Sequence, residues 1–237
     1  MGNKSQRSRL PAHPLPATDF QKQVLPISEC QTTWYRLNPS SYDSALYFDR
    51  SGMGRYDGLS QSYGILYVAE AVEGAFIESF GRSHGAKAGR GGLGGFPHEP
   101  SSQEGVAEAD LRNRNLFELE SDRQLTLVNL WGSGLVKIGA DARITSGSDY
   151  ELSRAWAEAI YLHPSKVDGI RYYSRHDCLG ARSLAPFGDA GSHRNTQLCC
   201  GLFDRTSAHL KEQNEGNIVN NPELLADILK RYDYALL

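Results

Sequence analysis

Five polar side chains sit at strand ends or beside apolar runs, where a side chain can act on something other than its own chain. They are Arg36, Arg55, Tyr67, Glu78 and Ser174. Arginine presents a planar fork of donors that matches phosphate oxygens, so Arg36 in "TTWYRLNP" and Arg55 in "GMGRYDG" can serve an anionic ligand. Glu78 stands out by its surroundings. In "GILYVAEAVEGAFIESF", Gly64 to Phe80, a helix over Ala71 to Phe80 puts Ala71, Ala75 and Glu78 at i, i+4 and i+7 on one stripe. Two alanines beside a carboxylate leave room for something to approach it. Each residue also has a plain structural explanation. Glu78 can pair with Arg82 at i+4, Arg36 with Asp43 and Arg55 with Asp57. Tyr67 can be a core aromatic, and Ser174 can cap a turn.

The elements that must position these residues follow from local pattern. Thr32 to Leu37 has the β-branched and aromatic content of a strand, ended by Asn38-Pro39. A loop rich in Tyr, Ser, Gly and Asp leads to a buried strand, Ile65 to Ala69, and then to the helix that carries Glu78. "LFELESDRQLTLVNLWG" holds two strand-like pieces around a Ser121-Asp122 turn. Ser148 and Glu151 form a capping box for a helix with Leu152, Ala155, Trp156, Ala159 and Ile160 on one face, stopped by Pro164. Ile170 to Ser174 reads as a strand, "RSLAPFGDA" and "QLCCGLFD" as further short ones. Asn221-Pro222 opens a final helix with Leu224, Leu225, Ile228 and Leu229 on one face. Short strands interleaved with helices, without regular βαβ alternation, predict an α+β fold.

At 237 residues the chain suits one decorated domain, and 40% hydrophobic content supplies its core. The expected organisation is a flexible tail over 1–28 and a single domain over 29–237, with a Gly-rich insertion at about 84–110. A formal charge of −3 gathers no nucleic acid, so none is expected as a partner. Cys30, Cys178, Cys199 and Cys200 lack zinc spacing, so no metal is expected, and thiols in a reducing cytoplasm fit best. No apolar run reads as a membrane span or a signal peptide, so the chain is expected to be cytoplasmic with no membrane partner.

Taken together, the five residues form an ordered set of motifs: Tyr35-Arg36 on the first strand, Gly54-Arg55-Tyr56-Asp57, "LYVAE" leading into "AFIES", and "DGIRYYSRHD" far downstream. This set resembles the RES-domain family, from about Trp34 to Ala190. The resemblance implies an ADP-ribosyltransferase-like fold, a mixed β core with flanking helices. It also implies a toxin paired with an Xre-type antitoxin and an enzyme that consumes NAD by breaking its nicotinamide–ribose bond. The family's two arginines fall on Arg36 and Arg55, its strand tyrosine on Tyr67, its glutamate on Glu78 and its serine on Ser174. Tyr56 and Asp57 stand where the family has Trp and Asn more often.

Given that resemblance, Arg36 and Arg55 are expected to clamp the pyrophosphate of NAD, and Tyr67 or Tyr47 to stack on nicotinamide, with Tyr56 beside them. Glu78 is expected to stabilise the ribosyl cation, as carboxylates do in glycoside hydrolysis. Ser174 would hydrogen-bond the ribose or the carboxamide, or hold Glu78. The catalytic set is therefore Glu78, Arg36 and Ser174, with NAD as substrate and no further cofactor. Water, phosphate or a protein side chain can each be the acceptor, so NAD hydrolysis or phosphorolysis, mono-ADP-ribosylation of a protein target, and a non-catalytic partner-binding domain stand as alternatives.

Overall fold

The computed structural model describes residues 15–30, 32–81, 105–147, 150–176, 197–232 and 234–237. Its centre is a mixed eight-stranded sheet in the order β1-β6-β7-β8-β3-β2-β5-β9. The strands are β1 (Ile27–Glu29), β2 (Thr33–Pro39), β3 (Ile65–Ala69), β5 (Arg114–Ser121), β6 (Thr126–Asn129), β7 (Gly169–Tyr173), β8 (Leu198–Phe203) and β9 (Leu210–Asn217). A small parallel pair joins β4 (Gly105–Val106) to β10 (Ala235–Leu236). Within the large sheet β6 and β7 run parallel, and every other neighbouring pair is antiparallel. The helices are α1 (Val72–Phe80), α2 (Glu108–Arg112), α3 (Ser133–Lys137), α4 (Arg143–Ser146), α5 (Tyr150–Tyr161) and α6 (Pro222–Tyr232). The fold is mixed α+β, as the pattern predicts.

Two apolar layers cover the sheet, because side chains alternate across a strand. Ile65 and Ala69 of β3, with Ile170 of β7, join the layer that also holds Phe76 of α1 and Trp156 of α5. Leu66 and Val68 of the same strand join Trp34, Leu119 and Leu127 on the opposite side. β8 is buried on both faces, which suits its central place in the sheet. Gly169 and Gly201 let β7 and β8 close up, since a side chain at 169 would strike the carbonyl of Gly201.

The expected strand Ile65 to Ala69 matches β3, and the expected helix matches α1 with Ala71 at its N-cap. α6 starts at Pro222 behind Asn221, whose Oδ1 accepts from the Leu224 N–H at 3.2 Å. The expected tail is shorter than 1–28. Phe20 is 1% exposed and meets Trp156 edge to face at 5.4 Å, and β1 pairs with β6. The expected insertion also ends earlier, since β4 and α2 fall within its last residues. Both pieces either side of Ser121-Asp122 are strands, but they part company. β5 lies between β2 and β9, while β6 lies between β1 and β7. Arg82, Ser148, "RSLAPFGDA" and the Gly-rich stretch 84–104 lie outside the described residues. Among the described residues no helix is long and apolar enough to cross a membrane.

Candidate active site

The sheet opens between β2 and β3. β2 meets β5 over seven residue pairs and β3 meets β8 over five, but β2 and β3 meet at a single pair, Tyr35 with Ala69. A cleft of about 320 Å³ lies at this opening, within the range of small-molecule sites. Its walls come from both strands, from α1 through Ala75, Glu78 and Ser79, from Arg55 and Tyr56, and from Tyr150, Tyr172 and Arg175.

The turn Gly54 to Asp57 is held from several directions. Tyr67 Oη donates to Asp57 Oδ1 at 2.9 Å and accepts from the Tyr56 N–H at 2.9 Å. Asp57 Oδ2 accepts from the Gly54 N–H at 2.8 Å. Tyr63 Oη donates to the Tyr56 carbonyl at 2.9 Å, and Arg154 Nε of α5 donates to the Gly54 carbonyl at 3.0 Å. A side chain at 54 would collide with the Asp57 carboxylate and the Tyr67 hydroxyl, so glycine is required there. The Asp57 carboxylate therefore braces the turn instead of neutralising Arg55. Asparagine, the residue more usual in the motif, could not take both bonds in the same way, because its amide is half donor.

This bracing leaves Arg55 available to the cleft. Its side chain is 8% exposed, its Nη1 donates to the Ile144 carbonyl at 3.4 Å, and its Nη2 is buried with no hydrogen-bond partner. Its guanidinium lies over the Tyr150 ring, 4.6 Å from the centroid. A buried unmatched donor costs roughly 1–3 kcal/mol; Trp34 Nε1, Arg205 Nη1 and Arg231 Nε are unmatched too, but Arg55 is the one of these four that lines the cleft. Tyr56 Oη is buried and unmatched as well.

Glu78 and Ala75 stand one turn apart on α1, and Tyr56 and Tyr172 line the same cleft with their ring centroids 4.9 Å from each other. Burial pushes the Tyr172 phenol well above its ordinary value, with the Glu78 charge the next largest cause. Burial also pushes Tyr56 up, Arg55 acting against it and Glu78 with it. Both phenols are thus neutral hydroxyls beside a carboxylate. Among the described lining residues Glu78 is the single carboxylate against four guanidinium groups, Arg36, Arg55, Arg114 and Arg175. Such a lining concentrates an anion and fixes one negative point within it.

Arg36, Arg55, Tyr56, Tyr67 and Glu78 therefore come together in one cleft. Arg36 donates through Nη1 to the carbonyls of Ala45 and Tyr47 at 3.3 and 3.4 Å. Burial lowers its pKa, opposed by Asp49 and Glu212. Tyr47 is not brought in. Its side chain is 64% exposed, and its backbone carbonyl is what touches the site, through Arg36. Ser174 is not among the residues that line the cleft. It is buried, and its Oγ accepts from the His176 N–H at 3.2 Å, the turn-capping arrangement. Ala71 is also outside the lining, whose alanines are Ala69 and Ala75.

Sequence reasoning missed Tyr150, Tyr172, Arg175 and Arg114. For Tyr172 and Arg175 a signal existed, because they flank Ser174 in "DGIRYYSRHD" and the alternation of β7 assigns Tyr172 to the α1 side. Tyr150 gave none, since an aromatic in the first turn of a helix reads the same from sequence whether it meets a cleft, the core or solvent.

The RES domain family matches residues 33–204. The Sinorhizobium fredii protein "Probable toxin y4kH" is 24% identical over 147 residues, 62% of this chain and 95% of that protein. A chain of the crystal structure of the M. tuberculosis MbcT–MbcA toxin–antitoxin complex superposes with a TM-score of 0.52, at 12% identity, over 85% of this chain and 91% of that one. This last likeness is one of fold. With the match running through every strand from β2 to β8 and all the cleft residues, the chain belongs to the RES domain family.

Proposed function

We propose that the chain cleaves the nicotinamide–ribose bond of NAD and acts as the toxin of a toxin–antitoxin pair. The observation that carries this reading is the pairing, in one cleft, of Arg55, whose buried Nη2 is unmatched, with Glu78. NAD has the complementary parts: a diphosphate for the arginines, and a ribose that gains positive charge as nicotinamide leaves. A fixed carboxylate at that charge is worth roughly 3–4 kcal/mol of barrier. Nicotinamide departs as a neutral molecule, so one carboxylate suffices where ordinary glycosidases use two. Tyr56 and Tyr172 keep their protons and supply neutral donors beside Glu78. Tyr67 serves the site through its hydroxyl, by bracing the turn that carries Arg55.

Likeness to proteins named as toxins supports the cellular role, and an antitoxin of Xre type would then cover the cleft. Pure protein incubated with NAD, with and without inorganic phosphate, should release nicotinamide. Labelled ADP-ribose identifies the acceptor. Free ADP-ribose means water, its phosphorylated form means phosphate, and label on protein means transfer to a side chain. Intact NAD under all these conditions would refute the reading. Expression in bacteria should arrest growth, and Glu78→Ala should relieve the arrest.

A further inference from the structure

We propose that Arg55 and Arg175, spaced by Tyr150, form the diphosphate subsite of the cleft, with Tyr150 as its positioning residue. The choice of ligand rests on the NAD reading above; the geometry stands apart from it. All three residues line the cleft. They engage one phenol in two ways. Arg55 lies over the ring face, 4.6 Å from the centroid. Arg175 holds the polar edge, its Nη2 donating to Tyr150 Oη at 2.8 Å with its guanidinium carbon 5.6 Å from the centroid.

The ring therefore sets two positive groups beside each other with an aromatic body between them. Like charges placed this close repel unless an anion lies between them or carboxylates flank them. Among the described residues neither forms an ion pair. Arg55 keeps the buried Nη2 without a partner, and its other contact is a long bond to the Ile144 carbonyl. That carbonyl is fixed from behind by Ser153 Oγ at 2.7 Å, so Arg55 is anchored and not merely sheltered. Arg175 is the exposed member and adds Nε to His176 Nε2 at 3.3 Å.

Arg36 is the weaker candidate to share a diphosphate with Arg55. It enters from β2, its Nη1 already serves two carbonyls, and Asp49 and Glu212 lie in its field. Arg175 replaces it as the partner of Arg55, and Tyr150 decides how the two forks are spaced. A diphosphate is the fitting ligand because it offers separate anionic groups to two separate donors.

The full chain is titrated calorimetrically with inorganic pyrophosphate and with ADP-ribose. Both carry the diphosphate, and neither has a nicotinamide bond to lose. Arg55→Ala should weaken both by about 30-fold, the scale of one charged hydrogen-bonded contact. Tyr150→Phe keeps the ring under Arg55 and removes the hydroxyl that holds Arg175, so a loss of about fivefold is expected. Arg175→Ala should match it. The double variant Tyr150→Phe/Arg175→Ala should be no weaker than Arg175→Ala alone, because the hydroxyl acts through that guanidinium. A purely structural role for Tyr150 would instead give additive losses. Wild-type affinity in Tyr150→Phe, additive losses in the double variant, or no binding of either probe to wild type would overturn the proposal. Tyr150-dependent pyrophosphate binding by a chain that leaves NAD intact would sink the glycosidic reading and keep this subsite. NAD cleavage with Tyr150-independent diphosphate binding would do the reverse.

Discussion

Arg55 and Arg171 are both guanidinium groups sheltered from water, and the chain treats them in opposite ways. Arg171, on β7, is gripped by both oxygens of Glu70, with the Trp131 ring 5.5 Å away. Arg123 meets Asp168 in the same bidentate manner, at 2.7 Å for each bond. In these places burial of charge is matched by opposite charge from the chain itself. Arg55 receives an aromatic face and one long bond to a carbonyl, and one nitrogen is left unmatched. The nearest carboxylate in sequence, Asp57, is turned to Gly54 and Tyr67 instead. Arg205 is left much as Arg55 is, over the Tyr161 ring with a bond to a carbonyl and Nη1 unmatched, but it is not part of the cleft lining, so what sets Arg55 apart from Arg171 and Arg205 alike is its place in the cleft.

Substitutions can break this contrast. The largest effect on stability is expected for Arg171→Ala, about 3 kcal/mol by chemical denaturation, because the sheltered Glu70 carboxylate would lose the guanidinium that grips both its oxygens. Diphosphate affinity, read by titration after refolding checks, should stay within twofold of wild type. Arg55→Ala should give the mirror image. Ligand affinity falls by about 2 kcal/mol, while the melting temperature holds or rises, because an unmatched buried donor is removed. A lowered melting temperature with unchanged affinity would reverse the assignment.

Tyr67→Phe probes the link between the two behaviours. It deletes the hydroxyl that joins Asp57 to the Tyr56 N–H, so about 1–2 kcal/mol of stability should go, with weaker ligand binding as the Arg55 turn loosens. The smallest effect is a pH dependence. Burial acts to raise the Asp168 carboxyl, but the Arg123 bonds and the Thr126 N–H outweigh it and hold it below the ordinary aspartate value. A carboxyl depressed in the folded state adds stability above the unfolded value of about 3.9, and that contribution disappears as pH falls through the folded value. Thermal melts from pH 6 to pH 3 should therefore show wild type losing stability more steeply than Asp168→Asn.

Much of this site was legible because its carriers are local. An unbroken apolar run followed by a helical period fixes β3 and α1, and with them Tyr67, Ala75 and Glu78. The ordered motifs then supplied Arg36, Arg55 and Tyr56. What stayed hidden depends on packing between distant segments. Tyr150 and Arg175 are 25 residues apart and meet because the start of α5 lies against the end of β7. Tyr47 looked like a binding aromatic, yet nothing local tells whether a loop ring faces a cleft or solvent. Phe20 was hidden for the opposite reason. It sits among prolines and polar residues without periodicity, and the rings that meet it, Trp156 and His163, come from far along the chain.

In the proposed reaction Glu78 stabilises the ribosyl charge in the β2–β3 cleft. Nicotinamide release from NAD by Glu78→Ala, measured beside wild type at saturating NAD, tests it most directly. A loss of at least a hundredfold, about 3 kcal/mol or more, is predicted, with ADP-ribose affinity retained within a few fold. Turnover of NAD by Glu78→Ala at the wild-type rate would contradict it.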